Sequence, residues 1–210
     1  MAAVSDRAAP SARRMTSQER RSQLTEAAVD VAAAGGFQAL TLDAVAERAG
    51  VTRNLIYHYF PRGRPDLVLA AVDYAGEELT HNWLTDSDVP LDERLAQNFA
   101  RFFEHALEPS RVWLVHRHGR MLGDPEVTAL GEEYRAVIVR AVALNHLGTE
   151  EPGPAATGAL RAYLDFGERA LDEWRERGLD AADVYPLLAD TLLAVVGSVK
   201  GTEGSLPAAR

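Results

Sequence analysis

Thr16, Thr41 and Thr52 each stand just ahead of a short run with helical spacing, and glycine closes the first two runs at Gly35-Gly36 and Gly50. This punctuation constrains residues 1–65 more than any bulk property does. It asks for three helices joined by tight turns. A threonine hydroxyl satisfies free N–H groups of a first turn, and glycine adopts the left-handed conformation that ends a helix. Thr16-Ser17-Gln18-Glu19 has the form of a capping box, with Thr16 as N-cap and Glu19 at N3. Leu24, Ala27, Ala28, Val31 and Ala32 then follow the stripe of an amphipathic helix. In the second run Asp43 lies near the positive end, and Val45, Ala46 and Ala49 form the inner face. The third runs from Thr52 to about Tyr59, before Pro61-Arg62-Gly63-Arg64-Pro65 breaks the chain. Two short helices joined by a glycine turn, after a longer one, make a helix-turn-helix pattern. On pattern alone, an ordinary three-helix packing unit is the plainer reading.

Beyond Pro65 the helical period persists, and no stretch alternates convincingly as a strand would. The spacing predicts helices over 66–83, 91–107, 110–122, 125–146, 155–177 and 181–200, about nine in all. The expected fold class is all-α. Its divisions are a disordered basic tail (1–15), the three-helix unit (16–65), a larger helical domain (66–200) and a short tail (201–210). From Leu187 to Gly197 only Asp190 and Thr191 are polar, so the last helix is apolar nearly all round and asks for cover on more than one side. That predicts a homodimer, with the last two helices pairing with their two-fold mates in a four-helix bundle. The alternative is a central helix in a monomer.

Charge separates the same two regions. Residues 1–65 hold nine arginines against six acids, whereas the remainder holds 13 basic and 25 acidic residues within a net charge of −9. A small basic module on an acidic body is the expected arrangement. The chain has no cysteine, which fits a reducing compartment. Residues 1–15 lack an apolar core of the signal-peptide kind, and the unbroken apolar run Leu192–Val196 is short for a bilayer. A cytoplasmic protein with no membrane partner is expected.

The stretch from Thr25 to Leu67 resembles the N-terminal DNA-binding domain of the TetR family of bacterial transcription regulators. The resemblance rests on Thr41-Leu42-Asp43-Ala44-Val45-Ala46-Glu47-Arg48-Ala49-Gly50-Val51, then Leu55-Ile56-Tyr57-His58-Tyr59-Phe60 and the Pro-Arg-Gly-Arg turn. It implies an N-terminal helix-turn-helix domain on a helical ligand-binding and dimerisation body, with double-stranded operator DNA as partner. A recognition helix presents its N-terminal residues to base edges in the major groove. Arg53 is the candidate base reader, because a guanidinium can bond guanine O6 and N7 together. Asn54 is a candidate for an adenine edge, or a plain first-turn residue. The family pattern turns Leu55 toward DNA, to touch a thymine methyl, and buries Ile56. Tyr57 and His58 are candidate phosphate or base-edge contacts, and Thr41 and Thr52 supply hydroxyls and helix N-terminal amides for phosphate. Tyr59 stands where the family most often has histidine. The turn is one residue longer than the common pattern and lacks its usual lysine, so Arg62 or Arg64 is expected to take that phosphate. Arg13, Arg14, Arg20 and Arg21 are further candidates for DNA contact, or for a solvated tail.

Motifs for hydrolase elbows, Walker loops, dinucleotide folds and zincins are absent, so no enzyme and no cofactor is expected. His116 and His118 are two apart on a helix, about 200° around it, and cannot share one metal ion. Asp165, Glu168, Asp172 and Glu173 read as a solvated face. A small-molecule effector of unknown identity would sit between body helices, and Phe99, Phe103, Trp113, His116, Tyr134, Asn145, Tyr163 and Phe166 are the candidate lining, each of which also suits plain core. The leading expectation is a homodimeric repressor that binds a palindromic operator and is released by its effector. The alternatives are an effector-independent DNA-binding regulator and a small-molecule binding protein that has lost DNA binding.

Overall fold

The computed structural model describes residues 15–83, 97 and 110–203. Every regular element among them is an α-helix. These are α1 (Ser17–Ala39), α2 (Leu42–Ala49), α3 (Arg53–Tyr59), α4 (Arg64–Trp83), α5 (Arg111–Arg120), α6 (Pro125–Leu147), α7 (Pro154–Arg177) and α8 (Ala181–Glu203). The helix expected over 91–107, with Phe99 and Phe103, lies outside the described residues. So do 1–14 and 204–210 of the expected tails.

The caps form where the sequence asked for them. Thr16 and Glu19 complete the reciprocal box, with the Thr16 amide donating to Glu19 at 2.7 Å and the Glu19 amide to the Thr16 hydroxyl at 3.1 Å. Thr41 accepts from the Ala44 amide at 3.1 Å. At Gly50 (φ 65°) α2 closes in a Schellman arrangement: the Gly50 amide donates to the Glu47 carbonyl and the Val51 amide to Ala46. Two expectations differ in detail. Gly36 (φ 71°) breaks α1 as expected, but helical turns resume beyond it to Ala39. Thr52 makes no side-chain cap bond, so its hydroxyl serves no helix end. At the far end α8 continues to Glu203, three residues past the expected stop.

Helices α1 to α4 share one core. Leu24, Ala28, Val29, Leu40, Val45, Ile56, Phe60, Leu67 and Ala71 are all completely buried in it. Burying Ile56 and Phe60 contributes about 1.5–3 kcal/mol each, and both hold α3 against the other helices. The same core includes Val115 of α5 and Val127 of α6, so the head's packing continues into the body. Arg21 reinforces the seam from α1, with its guanidinium 4.4 Å from the Phe60 ring centroid and a 2.7 Å bond to the Tyr59 carbonyl.

Helix α4 leaves the head and runs between α5 and α6, touching both. The fit is made by two glycines. A Cβ on Gly76 of α4 would lie 2.2 Å from the Tyr134 ring of α6, and one on Gly119 of α5 would lie 2.8 Å from Val72 of α4. Helices α7 and α8 pack side by side over two smaller clusters: Leu79, Trp113, Leu171 and Leu188 in one, Val139, Leu160, Tyr163, Leu192 and Val196 in the other. Helix α8 buries Val184, Leu188, Leu192 and Val196 against its own chain and leaves Leu187, Leu193 and Ala194 exposed. By length and composition its stretch Asp183–Gly201 is apolar enough to cross a membrane, with mean hydropathy 1.3. This exceeds what the short unbroken run at Leu192–Val196 suggests.

Candidate nucleic-acid interface

Helix α3 is one face core and one face open. Ile56 is completely buried, while Arg53, Asn54, Tyr57 and His58 are exposed and Leu55 is half-buried. Thr41 and Thr52, at the N-termini of α2 and α3, are exposed as well. Seven of the ten expected DNA-facing positions therefore share open surface around two helix N-termini. Arg53 lies 3.3 Å from Asp43 of α2, and the nearby Tyr57 hydroxyl and that carboxylate together raise its pKa above the ordinary guanidinium value. The pair is wide and exposed, so it orients Arg53 without committing it. Tyr59 divides from its neighbours: its ring is half-buried against the head core and meets His58 edge-on at 4.9 Å. Its packing suits a structural ring better than an outward contact.

The two arginines of the following turn are both engaged within the chain. Arg64 donates to the carbonyls of Phe37 at 2.7 Å and Leu40 at 2.9 Å, satisfying the end of α1. Arg62 bonds Asp66 at 2.6 Å and Glu126 of α6 at 2.9 Å. Arg20 donates to Gln23 at 2.6 Å, and Arg21 is the seam residue described above. Arg13 and Arg14 lie outside the described residues.

This geometry has counterparts. A sequence profile described as "Bacterial regulatory proteins, tetR family" matches residues 24–71. Two Mycobacterium tuberculosis proteins, each called an uncharacterized HTH-type transcriptional regulator, are 46% identical over 44 residues; that stretch is 21% of this chain and 23% of either relative's length. Over nearly the whole chain the fold matches a TetR-family transcriptional regulator from Streptomyces coelicolor, at 26% identity with a TM-score of 0.74 and 92% of each chain covered. Residues 24–71 thus match the TetR-family DNA-binding domain, and the fold as a whole is like that of a TetR-family regulator. A putative TetR-family regulator from Mesorhizobium loti, 13% identical with a TM-score of 0.68 over 88% of this chain and 98% of that one, shares the fold alone.

Among the described residues, the expected lining is not gathered at one place. Trp113 and Tyr163 are buried in separate clusters, and the Tyr163 hydroxyl donates to the Leu188 carbonyl at 3.0 Å. Tyr134 lies over Gly76 and donates to Asp73 at 2.6 Å, toward α4. Asn145 is half-buried near the end of α6, and Phe166 stands 40% exposed on the outer side of α7. His116 is buried and His118 half-buried, as their spacing requires. Burial, with Arg120 and Arg135 nearby, pushes His116 down to about 4, so the ring is neutral at physiological pH. An open groove of ≈ 390 Å³ runs along α7 and α8 instead, lined by Ala155, Ala159, Thr191, Ala194, Val195, Ser198 and Val199.

One expectation about the body is overturned in part. Asp165 is exposed and Glu173 partly so, as a solvated face requires, but Glu168 and Asp172 are largely covered, and arginines from neighbouring helices pair with three of the four. Arg120 donates to both oxygens of Glu168 at 2.7 and 2.8 Å, Arg135 donates to Asp165 at 2.5 Å, and Arg117 pairs with Asp172. Burial raises the Glu168 pKa against the lowering pull of Arg120 and Arg135. The signal was available. Acids at 165, 168 and 172 line one helix stripe, and Arg117 and Arg120 line another, which suits facing helices.

Proposed function

We propose that the chain is a one-component, homodimeric repressor that binds a palindromic operator and is released by a small-molecule effector. The observation that carries the DNA-binding half is the division of α3. Ile56 and Phe60 are sealed in the core while Arg53, Asn54, Tyr57 and His58 face outward beside the open N-termini of α2 and α3. Arg53 reads a guanine edge, Leu55 meets a thymine methyl, Tyr57 and His58 meet phosphate or base edges, and the threonine hydroxyls and amides hold phosphate.

Dimerisation follows from α7 and α8. The exposed side of α7 carries Ala155, Gly158, Ala162 and Phe166, and α8 adds Leu193 and Ala194 beside the small-residue groove. Small side chains let a second pair of helices approach closely, and a two-fold axis makes one patch serve both copies. Asp183, Asp190 and Lys200 on α8, and its packing on α7, suit a protein partner better than lipid. Two recognition helices must then meet half-sites about 34–36 Å apart. An effector that favours one body conformation shifts that spacing through α4, and the two affinities are coupled reciprocally. The packing of Trp113, Tyr163 and Tyr134 into clusters or onto α4 favours a second reading, regulation without an effector.

Selection of bound sequences from a random duplex pool, followed by footprinting, tests the proposal. It expects a palindrome protected on both half-sites, with affinity falling steeply as salt rises. Recovery of no preferred sequence would sink it.

A further inference from the structure

Arg62 joins two parts of the molecule that the DNA-reading face does not itself connect. Its backbone N–H donates to Asp66 Oδ2 at 2.9 Å and its Nε to Asp66 Oδ1 at 2.6 Å. Its Nη1 reaches both oxygens of Glu126 at 2.9 and 3.1 Å. Asp66 belongs to the first turn of α4, whereas Glu126 belongs to the first turn of α6 in the body. The Arg62 side chain is 52% exposed and that of Glu126 58%. The turn that carries Arg62 also lies against the DNA-facing surface, since a Cβ on Gly63 would lie 3.1 Å from the Tyr57 ring.

We propose that Glu126 is an intramolecular competitor for Arg62. It holds the guanidinium on the body in the free protein, and a DNA phosphate takes its place when the head engages a duplex. The inference rests on the DNA-binding reading above. A carboxylate and a phosphate accept from the guanidinium fork in the same way, so the exchange needs no new chemistry. An exposed ion pair contributes little, and neutralising a phosphate releases condensed counterions, so the exchange runs toward DNA. Asp66 holds the backbone and Nε, which keeps the side chain poised while Nη1 changes partner. Arg64 cannot do the same without abandoning the Phe37 and Leu40 carbonyls. The contact ties DNA affinity to the position of α6: whatever draws its N-terminus away from the turn frees Arg62, and DNA binding in turn releases that end of α6.

The test titrates full-length wild type, Glu126→Gln, Arg62→Gln and the double variant with a random-sequence duplex over a salt series. Phosphate contacts are independent of sequence, so no operator is needed. Position 126 is exposed and the Asp124 cap of α6 is untouched, so the variants fold, which equal thermal melts verify. Glu126→Gln is expected to tighten binding up to about fivefold, the ceiling an exposed pair sets. Arg62→Gln is expected to weaken binding and flatten the salt slope by up to about 0.9. With Arg62 already replaced, Glu126→Gln is expected to add nothing. An unchanged or weakened Glu126→Gln overturns the competitor. So does equal tightening in the absence of Arg62, which would make Glu126 merely a negative charge near the duplex. Wild type that binds no duplex at all overturns the DNA-binding reading with it, and that outcome is distinct from the other two.

Discussion

Tyr134 of α6 lies over Gly76 of α4, close enough that a Cβ on Gly76 would come within 2.2–2.6 Å of three ring carbons, and its hydroxyl donates to Asp73 at 2.6 Å one turn earlier. The glycine makes the notch and the tyrosine fills it. Burial and the Asp73 carboxylate together hold the phenol above the ordinary tyrosine pKa, so it stays a donor. This is where the helix leaving the reading head is pinned to the body. Gly76→Ala is therefore expected to push α6 away from α4, despite alanine's better helix propensity, at a cost of about 1–3 kcal/mol. Tyr134→Phe keeps the ring and loses one bond, and is expected to cost about 1 kcal/mol. Urea unfolding of both variants checks the order. A Gly76→Ala protein as stable as wild type would show that the notch is loose.

On the DNA face, Arg53 and Tyr57 are expected to fail differently. Arg53→Ala should lose affinity about tenfold or more for the selected operator and relax preference at one base pair, because a base edge loses its bidentate partner. Tyr57→Phe should weaken all duplexes alike, because a phosphate contact carries no sequence information. Competition titrations with single-base operator variants separate the two. Wild-type base preference retained in Arg53→Ala would remove Arg53 from the reading role.

The head was legible because its rules are local. Thr16, Thr41 and Gly50 act on groups within a few residues of themselves, and the structure forms those caps. Side-chain commitments across helices were not legible. The sequence presents Arg62 and Arg64 as free cations near a recognition helix, and both are bound, one to a carboxylate 64 residues away. In α6 the apolar Leu130, Val137 and Ile138 have the spacing of an inner stripe, yet they are only half-buried. The fully buried positions include Gly131, Arg135 and Val139. An arginine enters that stripe because Asp165 and the Arg161 carbonyl on α7 receive it. Single-helix periodicity contains nothing about that partner. Tyr59 is the intermediate case: its departure from the family pattern was visible, but its half-buried packing against the head core was not.

Two histidines predict how stability responds to acid. Burial, aided by Arg120 and Arg135, pushes His116 down to about 4, and burial, aided by Lys200, does the same for His146. Between about pH 6.5 and 4 the unfolded chain binds protons that the folded chain refuses, so stability rises with pH across that window. It is fully present above the unfolded value and fades on acidification. Each histidine is expected to remove about 2 kcal/mol between about pH 6.5 and about pH 5. Glu168, raised by burial, works in the opposite sense and blunts the loss. Thermal melts over this range should show Tm falling as pH falls, with a shallower fall in His116→Gln. A flat Tm would mean the rings are hydrated in solution.

The face of α7 and α8 gives the prediction on which the regulator's geometry depends. Ala194 is exposed in the single chain and lines the small-residue groove, so an arginine there has room and leaves the fold of one chain intact. Across a two-fold axis the same change is felt twice, because the patch meets its own copy. It would place a long, charged side chain where the partner helices need close approach, with no acid among Ala155, Ala159, Thr191, Val195, Ser198 and Val199 to receive it. An unpaired charge sealed in an interface is expected to raise the dimer dissociation constant on the order of 100-fold. Light scattering at micromolar concentration should then report a halved mass for Ala194→Arg, with helical circular dichroism retained. Operator affinity should fall in parallel, since two half-sites can no longer be held by one particle. A monomeric wild type, or an Ala194→Arg dimer of undiminished affinity, would place the partner surface elsewhere.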